Sequence, residues 1–281
     1  MVQLIQTFIS GLSLGSIYAL IALGYTMVYG IAKMLNFAHG DIIMIGAYAG
    51  IIAVGQAGLP PVLAVIASVL VCTLLGVLIE RLAYKPLRQA SPLSVLITAI
   101  GVSYFLQNVA LLVFGSQQKA YPTLLTLPAI HLGRVTVDGM SLLTLALTAV
   151  IMICLHFFIS KTKLGKAMRA VSEDKGAAEI MGISSNRTIT LTFAIGSALA
   201  AFASIFYGMT YVYIKPTTGS MPGIKAFTAA VFGGIMLGII EQFSKTYIST
   251  LWADAIVFGV LVIVLVLKPT GLLGKEITEK V

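Results

Sequence analysis

Long stretches without a charged residue alternate with short basic connections along this chain. Residues 4–32, 42–79, 89–118, 139–160 and 188–214 contain no Lys, Arg, Asp or Glu. A helix needs roughly 20 apolar residues to cross a bilayer. The second stretch is long enough for two crossings, and Gly58-Leu59-Pro60-Pro61 supplies the turn between them. None of the stretches alternates apolar with polar residues as barrel strands do. The pattern therefore predicts an all-α, polytopic membrane helix bundle of about eight hydrophobic segments in a single domain, residues 1–281.

Two further segments, 226–240 and 247–267, follow the last uncharged stretch. The first has fifteen residues, too short to span, and is rich in Gly and Ala. Residues 187 and 268 are both expected on the basic side, so an even number of crossings must separate them. The pattern predicts that 226–240 enters the membrane and returns, shielded from lipid by protein or water. Residues 4–32 exceed one crossing, which predicts a tilted or broken helix, and the orientation of the N-terminus stays open. The pairs Gly11/Gly15, Gly46/Gly50 and Gly234/Gly238 have the spacing that lets helices approach closely.

Composition agrees with this picture: 58% of residues are hydrophobic, 10% are charged, and the mean hydropathy is +1.01. The net charge of +8 raises nucleic acid as a partner, but its distribution argues against that. Twelve of the eighteen Lys and Arg residues lie in 80–92, 160–187 and 268–281. That clustering marks cytoplasmic connections, and it places the C-terminus in the cytoplasm. Connections 115–138 and 215–225 are then external. No basic n-region opens the chain, so no cleaved signal is expected. Cys72 and Cys154 lie in separate apolar segments and behave as small hydrophobes.

Segment 160–187 is the longest basic piece. Leu164, Met168, Val171, Ala178 and Met181 recur at helical spacing and predict one apolar face. Ser172-Glu173-Asp174 predicts the N-cap of a second short helix over 175–181, and Gly182 its C-cap. Lys166, Arg169, Glu173, Asp174 and Glu179 fall on the polar face. Two short surface helices on the cytoplasmic side suit a docking element, with an ordinary solvated basic loop as the alternative reading.

Within the apolar segments, Asn36 and Asp41 flank the break between the first two and suit helix caps. His39, beside Gly40, is a candidate structural histidine or proton relay. Thr98, Ser103, Gln107 and Asn108 supply hydrogen-bonding groups for a pathway or for helix contacts. Glu241 and Lys245 are four apart and can pair on a helix. Asp254 beside Trp252 marks an interface and Asp41 a break between helices, so no mid-span carboxylate is expected. The chain carries no phosphate-binding loop, zinc spacing or catalytic triad. These features leave three readings: a permease driven by a separate engine, an ion-coupled carrier that uses His39 or Asp41, and a non-transporting scaffold.

Several words carry a family resemblance: Gly15-Ser16-Ile17-Tyr18-Ala19-Leu20, Leu35-Asn36-Phe37-Ala38-His39-Gly40-Asp41 and Pro269-Thr270-Gly271-Leu272-Leu273-Gly274. With Glu173-Asp174-x-x-Ala177-Ala178-x-x-Met181-Gly182-Ile183, which resembles the coupling motif of ABC-importer permeases, they are similar to the branched-chain amino-acid permeases of the LivH type. The resemblance implies a subunit without enzymatic activity or a cofactor of its own, resident in the bacterial cell membrane. It implies a second, LivM-like permease, two cytoplasmic ATPases that hold ATP and magnesium, and an extracytoplasmic solute-binding protein as partners. The solute is a branched-chain or hydrophobic amino acid, with urea and short amides as the alternative within the family. The family's Gly-Ser-x-Pro-Gly stretch is absent after Gly233-Gly234, where Ile235-Met236-Leu237-Gly238 follows directly.

Overall fold

The computed structural model describes residues 2–125, 127–133, 135–228 and 231–267; the C-terminal basic segment and its Pro269-Thr270-Gly271 word lie outside the described residues. Eleven α-helices are described. They are α1 (Val2–Ala32), α2 (His39–Gly55), α3 (Pro61–Ile79), α4 (Pro92–Phe114), α5 (Gly139–Lys161), α6 (Lys163–Glu173), α7 (Lys175–Ile180), α8 (Ser185–Tyr211), α9 (Ser220–Thr228), α10 (Val231–Tyr247) and α11 (Ala253–Leu267). A π-helical turn at Glu80–Tyr84 and a 3-10 turn at Lys85–Leu87 prolong the third. Four short strands accompany them: β1 (Lys119–Ala120), β2 (Ile130–Leu132), β3 (Val135–Val137) and β4 (Tyr213–Ile214). Five helices are long and apolar enough to cross a membrane: α1, α3 with its continuation to Leu87, α4, α5 and α8. The chain is a multi-pass membrane protein of all-α architecture.

Local chemistry sets the helix ends. Pro61 and Pro92 occupy first turns, where a missing N–H costs nothing. Ser91, Asp138 and Thr162 cap α4, α5 and α6 by accepting from the amides of Ser94, Ser141 and Gly165. Gly58, at φ +61°, makes the turn between α2 and α3 that the Gly-Leu-Pro-Pro word predicts. The first helix is unbroken across 31 residues, about 46 Å at 1.5 Å per residue. It is therefore long but not interrupted.

The bundle has two distinct ends. At one, Lys175 Nζ donates to the Ala32 carbonyl at 3.2 Å, which places α6 and α7 beside the C-terminus of α1. Glu80, Arg88 and Asn186 meet at this basic end, where Glu80 also accepts from Thr190. At the other end, Gln6 Nε2 donates to the Thr136 carbonyl at 3.2 Å, next to the β2–β3 hairpin. The N-terminus thus lies opposite the basic segment. β1 pairs antiparallel with β4, so connections 115–138 and 215–219 share the far end, as their charge predicts.

The region predicted to enter and return is built from two helices. α10 runs antiparallel to α1: Gly11 faces Ile239, Gly15 faces Ile235 and Ala19 faces Gly234. α1 runs from the far end to the basic end, so α10 runs back toward the far end. α9, which follows the far-end strand β4, packs on α1 and α2, and α9 with α10 makes the returning unit. Its extent, 220–247, is larger than the predicted 226–240. Lys225 consequently lies inside the bundle rather than in an external connection. α8 is long enough to cross, and α11 is a shorter apolar helix of 15 residues that ends the described chain at Leu267.

The three predicted glycine pairs all serve packing. A Cβ at Gly15 would lie 2.7 Å from the Ile235 Cα, and one at Gly11 2.9 Å from the Ile239 Cα. Gly46 faces Ser204 and Cys72, and Gly50 faces Tyr121. Replacing Gly15 with Val is expected to destabilise the detergent-purified protein by about 1–3 kcal/mol. Gly101→Ala, where nothing lies within 4 Å, is the neutral control, and thermal unfolding of the two variants provides the comparison.

Candidate functional site

A cavity of about 220 Å³ lies between α1, the start of α2, α4 and α9. Its walls include Asn36, Phe37, His39, Gly40, Ser103, Gln107 and Ser220. It forms where α1 stops. Lys33 adopts left-handed backbone (φ +57°), and the chain reverses through residues 33–38 before α2 begins at His39. The turn sets Asn36 and His39 in the protein interior, each 1% exposed. Gly40 lets α9 approach: a Cβ there would collide with the Gly219 carbonyl and lie 3.3 Å from the Gly223 Cα.

Gln107 organises one wall. Its amide nitrogen lies 3.0 Å from Asp41 Oδ1, 3.1 Å from Ser103 Oγ and 3.2 Å from Ser220 Oγ. This contact ties α2, α4 and α9 together. On the other wall, Asn36 Oδ1 accepts from the Tyr84 hydroxyl at 3.0 Å. The His39 ring packs against α1 beside Gly24 and the Ile21 carbonyl, whereas Asn36 Nδ2 makes no hydrogen bond among the described residues. Buried polar groups in that condition are costly and mark places where a further partner is expected.

The structure gathers Asn36, His39, Gly40, Ser103 and Gln107 around one cavity, with Asp41 directly behind Gln107. Thr98 and Asn108 do not line it. Asn108 points outward and donates to the Tyr104 carbonyl of its own helix at 2.7 Å. Asn36 and Asp41 are not caps. The residue at the N-cap of α2 is Ala38, with no side-chain cap, because the turn aims both polar groups inward instead.

Sequence reasoning missed a buried ionic cluster. Lys225 Nζ on α9 lies 2.6 Å from Glu241 Oε2 and 2.7 Å from Asp254 Oδ1. Lys245 Nζ lies 2.6 Å from Glu241 Oε1, which is the predicted i,i+4 pair. Tyr18, midway along α1, and Tyr211 donate to the same carboxylate at 2.8 and 2.9 Å. Glu241 is 1% exposed, so the expectation that the bundle holds no mid-span carboxylate is overturned. The i,i+4 spacing was visible in the sequence. The α9 partner, sixteen residues away, was not, because Lys225 was assigned to a loop.

The basic end carries the predicted pair of short helices. Asp174 caps α7, accepting from the amides of Gly176 and Ala177 at 2.8 and 3.0 Å. Gly182, at φ +82°, closes it, and its amide donates to the Glu179 carbonyl. α7 ends at Ile180, one residue before the predicted end. Met168, Val171 and Ala178 are buried against the bundle, but Leu164 and Met181 point outward, Met181 at 80% exposure. The turn at Asp174 changes the helix direction, so a single apolar stripe does not persist across both helices. The outer surface presents Lys166, Arg169, Glu173, Asp174, Ala177, Glu179 and Gly182, with Ile180 and Met181 as its apolar centre.

A multi-pass bundle with a mostly apolar cavity that carries a few polar side chains, and an amphipathic platform at its basic end, has the make-up of a membrane permease. The chain matches, over residues 7–268, the family described as branched-chain amino acid transport system / permease component, and it belongs to that family. It is 44% identical to the high-affinity branched-chain amino acid transport system permease protein BraD of Pseudomonas aeruginosa, covering 99% of this chain and 98% of that one. It is 41% identical to the corresponding permease protein LivH of Escherichia coli K12, covering 99% and 97%. Autoinducer 2 import system permease protein LsrC of Klebsiella pneumoniae is 36% identical over 81 residues, 29% of this chain. No solved structure matches the chain. The alignments with the two full-length relatives run over 300 positions against 281 residues here, so at least 19 positions have no counterpart in this chain. A shorter chain accords with the stretch missing after Gly234.

Substituting Ala for Glu241 leaves Asp254 as the acidic partner of the cluster. The change is expected to cost about 3–5 kcal/mol, the range for one partner removed from a buried pair. Glu241→Ala with Lys225→Met is expected to recover part of that loss, as measured by thermal unfolding in detergent.

Proposed function

We propose that this chain is one permease of an ATP-driven importer for branched-chain amino acids, and that it forms the translocation pathway with a second, LivM-like permease. The names of its full-length relatives support the solute class. The α6–α7 platform carries the rest of the reading. An ordered pair of capped helices, anchored by Met168, Val171 and Ala178, holds an exposed Ile180 and Met181 within a ring of charge. That arrangement suits a protein partner, here a pair of cytoplasmic ABC ATPases that bind ATP and magnesium. Ala178 belongs to the anchor, whereas Glu173 and Ala177 belong to the docking surface.

In this reading the basic end and the C-terminus face the cytoplasm of a bacterial cell, following the charge rule. The far end, with its two short sheets, receives solute from an extracytoplasmic binding protein. The internal cavity lies on or beside the pathway. ATP hydrolysis happens on the partner subunits, so this chain is not itself an enzyme.

One observation favours a second reading. His39 lines the cavity, which is the condition an ion-coupled carrier sets. Proteoliposomes separate the two. The complete transporter with its binding protein is expected to accumulate leucine only with internal ATP, and urea not at all. Accumulation driven by a proton or sodium gradient without ATP overturns the importer reading.

Two variants probe the platform. Met181→Glu places a charge at its apolar centre and is expected to reduce leucine uptake at least tenfold by weakening ATPase association, read by co-purification. Glu173→Lys combined with Ala177→Trp is expected to leave ATP hydrolysis running while uptake falls. Normal uptake in both would remove the platform from the mechanism.

A further inference from the structure

The cavity beside the α1–α2 turn has unspent hydrogen-bonding capacity of two kinds on its walls. Asn36 Nδ2 is a donor, since its carbonyl oxygen is committed to Tyr84. The His39 ring packs against α1, beside Gly24 and the Ile21 carbonyl, and forms the wall next to Asn36. Both side chains are almost wholly buried. Gln107 contributes the opposite polarity. Its amide nitrogen is held by Asp41, Ser103 and Ser220, which leaves its carbonyl oxygen to serve the cavity it lines. Asp41, behind that amide, forms no salt bridge among the described residues. Its carboxylate makes the Gln107 side the negative side.

The rest of the lining is apolar or aromatic, including Phe37, Ile100 and Ile224. At about 220 Å³ the space equals roughly seven waters at their liquid volume, enough for one small amino acid. No Lys or Arg lines it, so a purely anionic ligand finds no counter-charge. A ligand with a carboxylate at one end of a short backbone and an ammonium at the other matches the two kinds of wall.

We propose that this cavity is a head-group site for a free α-amino acid, in which Asn36 donates to the carboxylate and Gln107, backed by Asp41, accepts from the ammonium. The inference rests on the importer reading and adds to it. The permease itself recognises the zwitterion and does not merely let pass what the binding protein delivers. The side chain meets only apolar wall, so leucine, isoleucine and valine are held alike.

The test uses the complete transporter in detergent, without the binding protein, and radiolabelled leucine. Saturable binding is expected. Leucinol, which lacks the carboxylate, and 4-methylpentanoate, which lacks the ammonium, are expected to compete at least tenfold more weakly than isoleucine. Asn36→Asp, which replaces the donor with a carboxylate oxygen, is expected to weaken binding at least tenfold. If that variant does not assemble, Gln107→Glu, which alters the opposite wall, or the analogue competition on the unmodified transporter decides. Absence of saturable binding, equal competition by either analogue, or unchanged affinity in an assembled Asn36→Asp variant overturns the proposal. ATP-driven leucine uptake, measured in parallel with the binding protein, keeps the two readings distinct. Uptake without intrinsic binding overturns the head-group site alone, whereas binding without ATP-driven uptake overturns the importer reading alone.

Discussion

Everything in this bundle is arranged around the close backbone contact between α1 and α10. Lipid tails are as apolar as leucine, so burying an apolar helix among others gains little hydrophobic free energy in a membrane. Association must come from packing and polar contacts. The glycines at 11, 15, 234 and 238 remove the side chains that would hold the two backbones apart. Once α10 lies against α1, Glu241 reaches Tyr18 and the α9 lysine. The returning helix pair is thereby fixed against the central helix and closes one side of the cavity.

Polar groups inside the bundle divide into two sets with different character. Around Glu241 the charges are matched: two ammonium groups and two tyrosine hydroxyls converge on one carboxylate, and Asp254 supplies the second. That set joins α1, α8, α9, α10 and α11, and it has the properties of a fixed joint. Around Asn36 the set is incomplete, with a donor that no group among the described residues satisfies. One buried cluster is thus thoroughly satisfied, while the other, beside the cavity, keeps a donor without a described partner.

The architecture was legible because bilayers impose simple rules. Uncharged length gave the spans, clustered lysine and arginine gave the basic end, and glycine spacing gave the packing faces. Parity required a returning segment near residue 230, and α9 with α10 supplies it. The site was legible only in part. Asn36, His39, Ser103 and Gln107 stood out as polar groups in apolar surroundings, and they converge. Thr98 and Asn108 met the same criterion but do not line the cavity, because direction around a helix is set by neighbours that sequence does not specify. Lys225 was read as loop because charge near a span normally means water. Its partner arrives from a different helix, and no local pattern announces such an encounter. Leu164 and Met181 were drawn onto one face by extending a helical period through Asp174, where the chain turns.

The unbroken first helix has a mechanical meaning. Its C-terminal carbonyl at Ala32 holds Lys175 of the basic platform, and Gln6 near its N-terminus holds the Thr136 backbone at the far end. No proline, left-handed residue or bend interrupts the helix between those two bonds. A hinged helix would absorb a displacement at one end, but a continuous one conveys it. In the importer proposed above the helix would serve as a push-rod with a fastening at each end, and Tyr18 and Tyr25 sit along its shaft beside the ionic joint and the cavity. A displacement of the platform would then be carried past both polar clusters to the far end of the bundle through one continuous part.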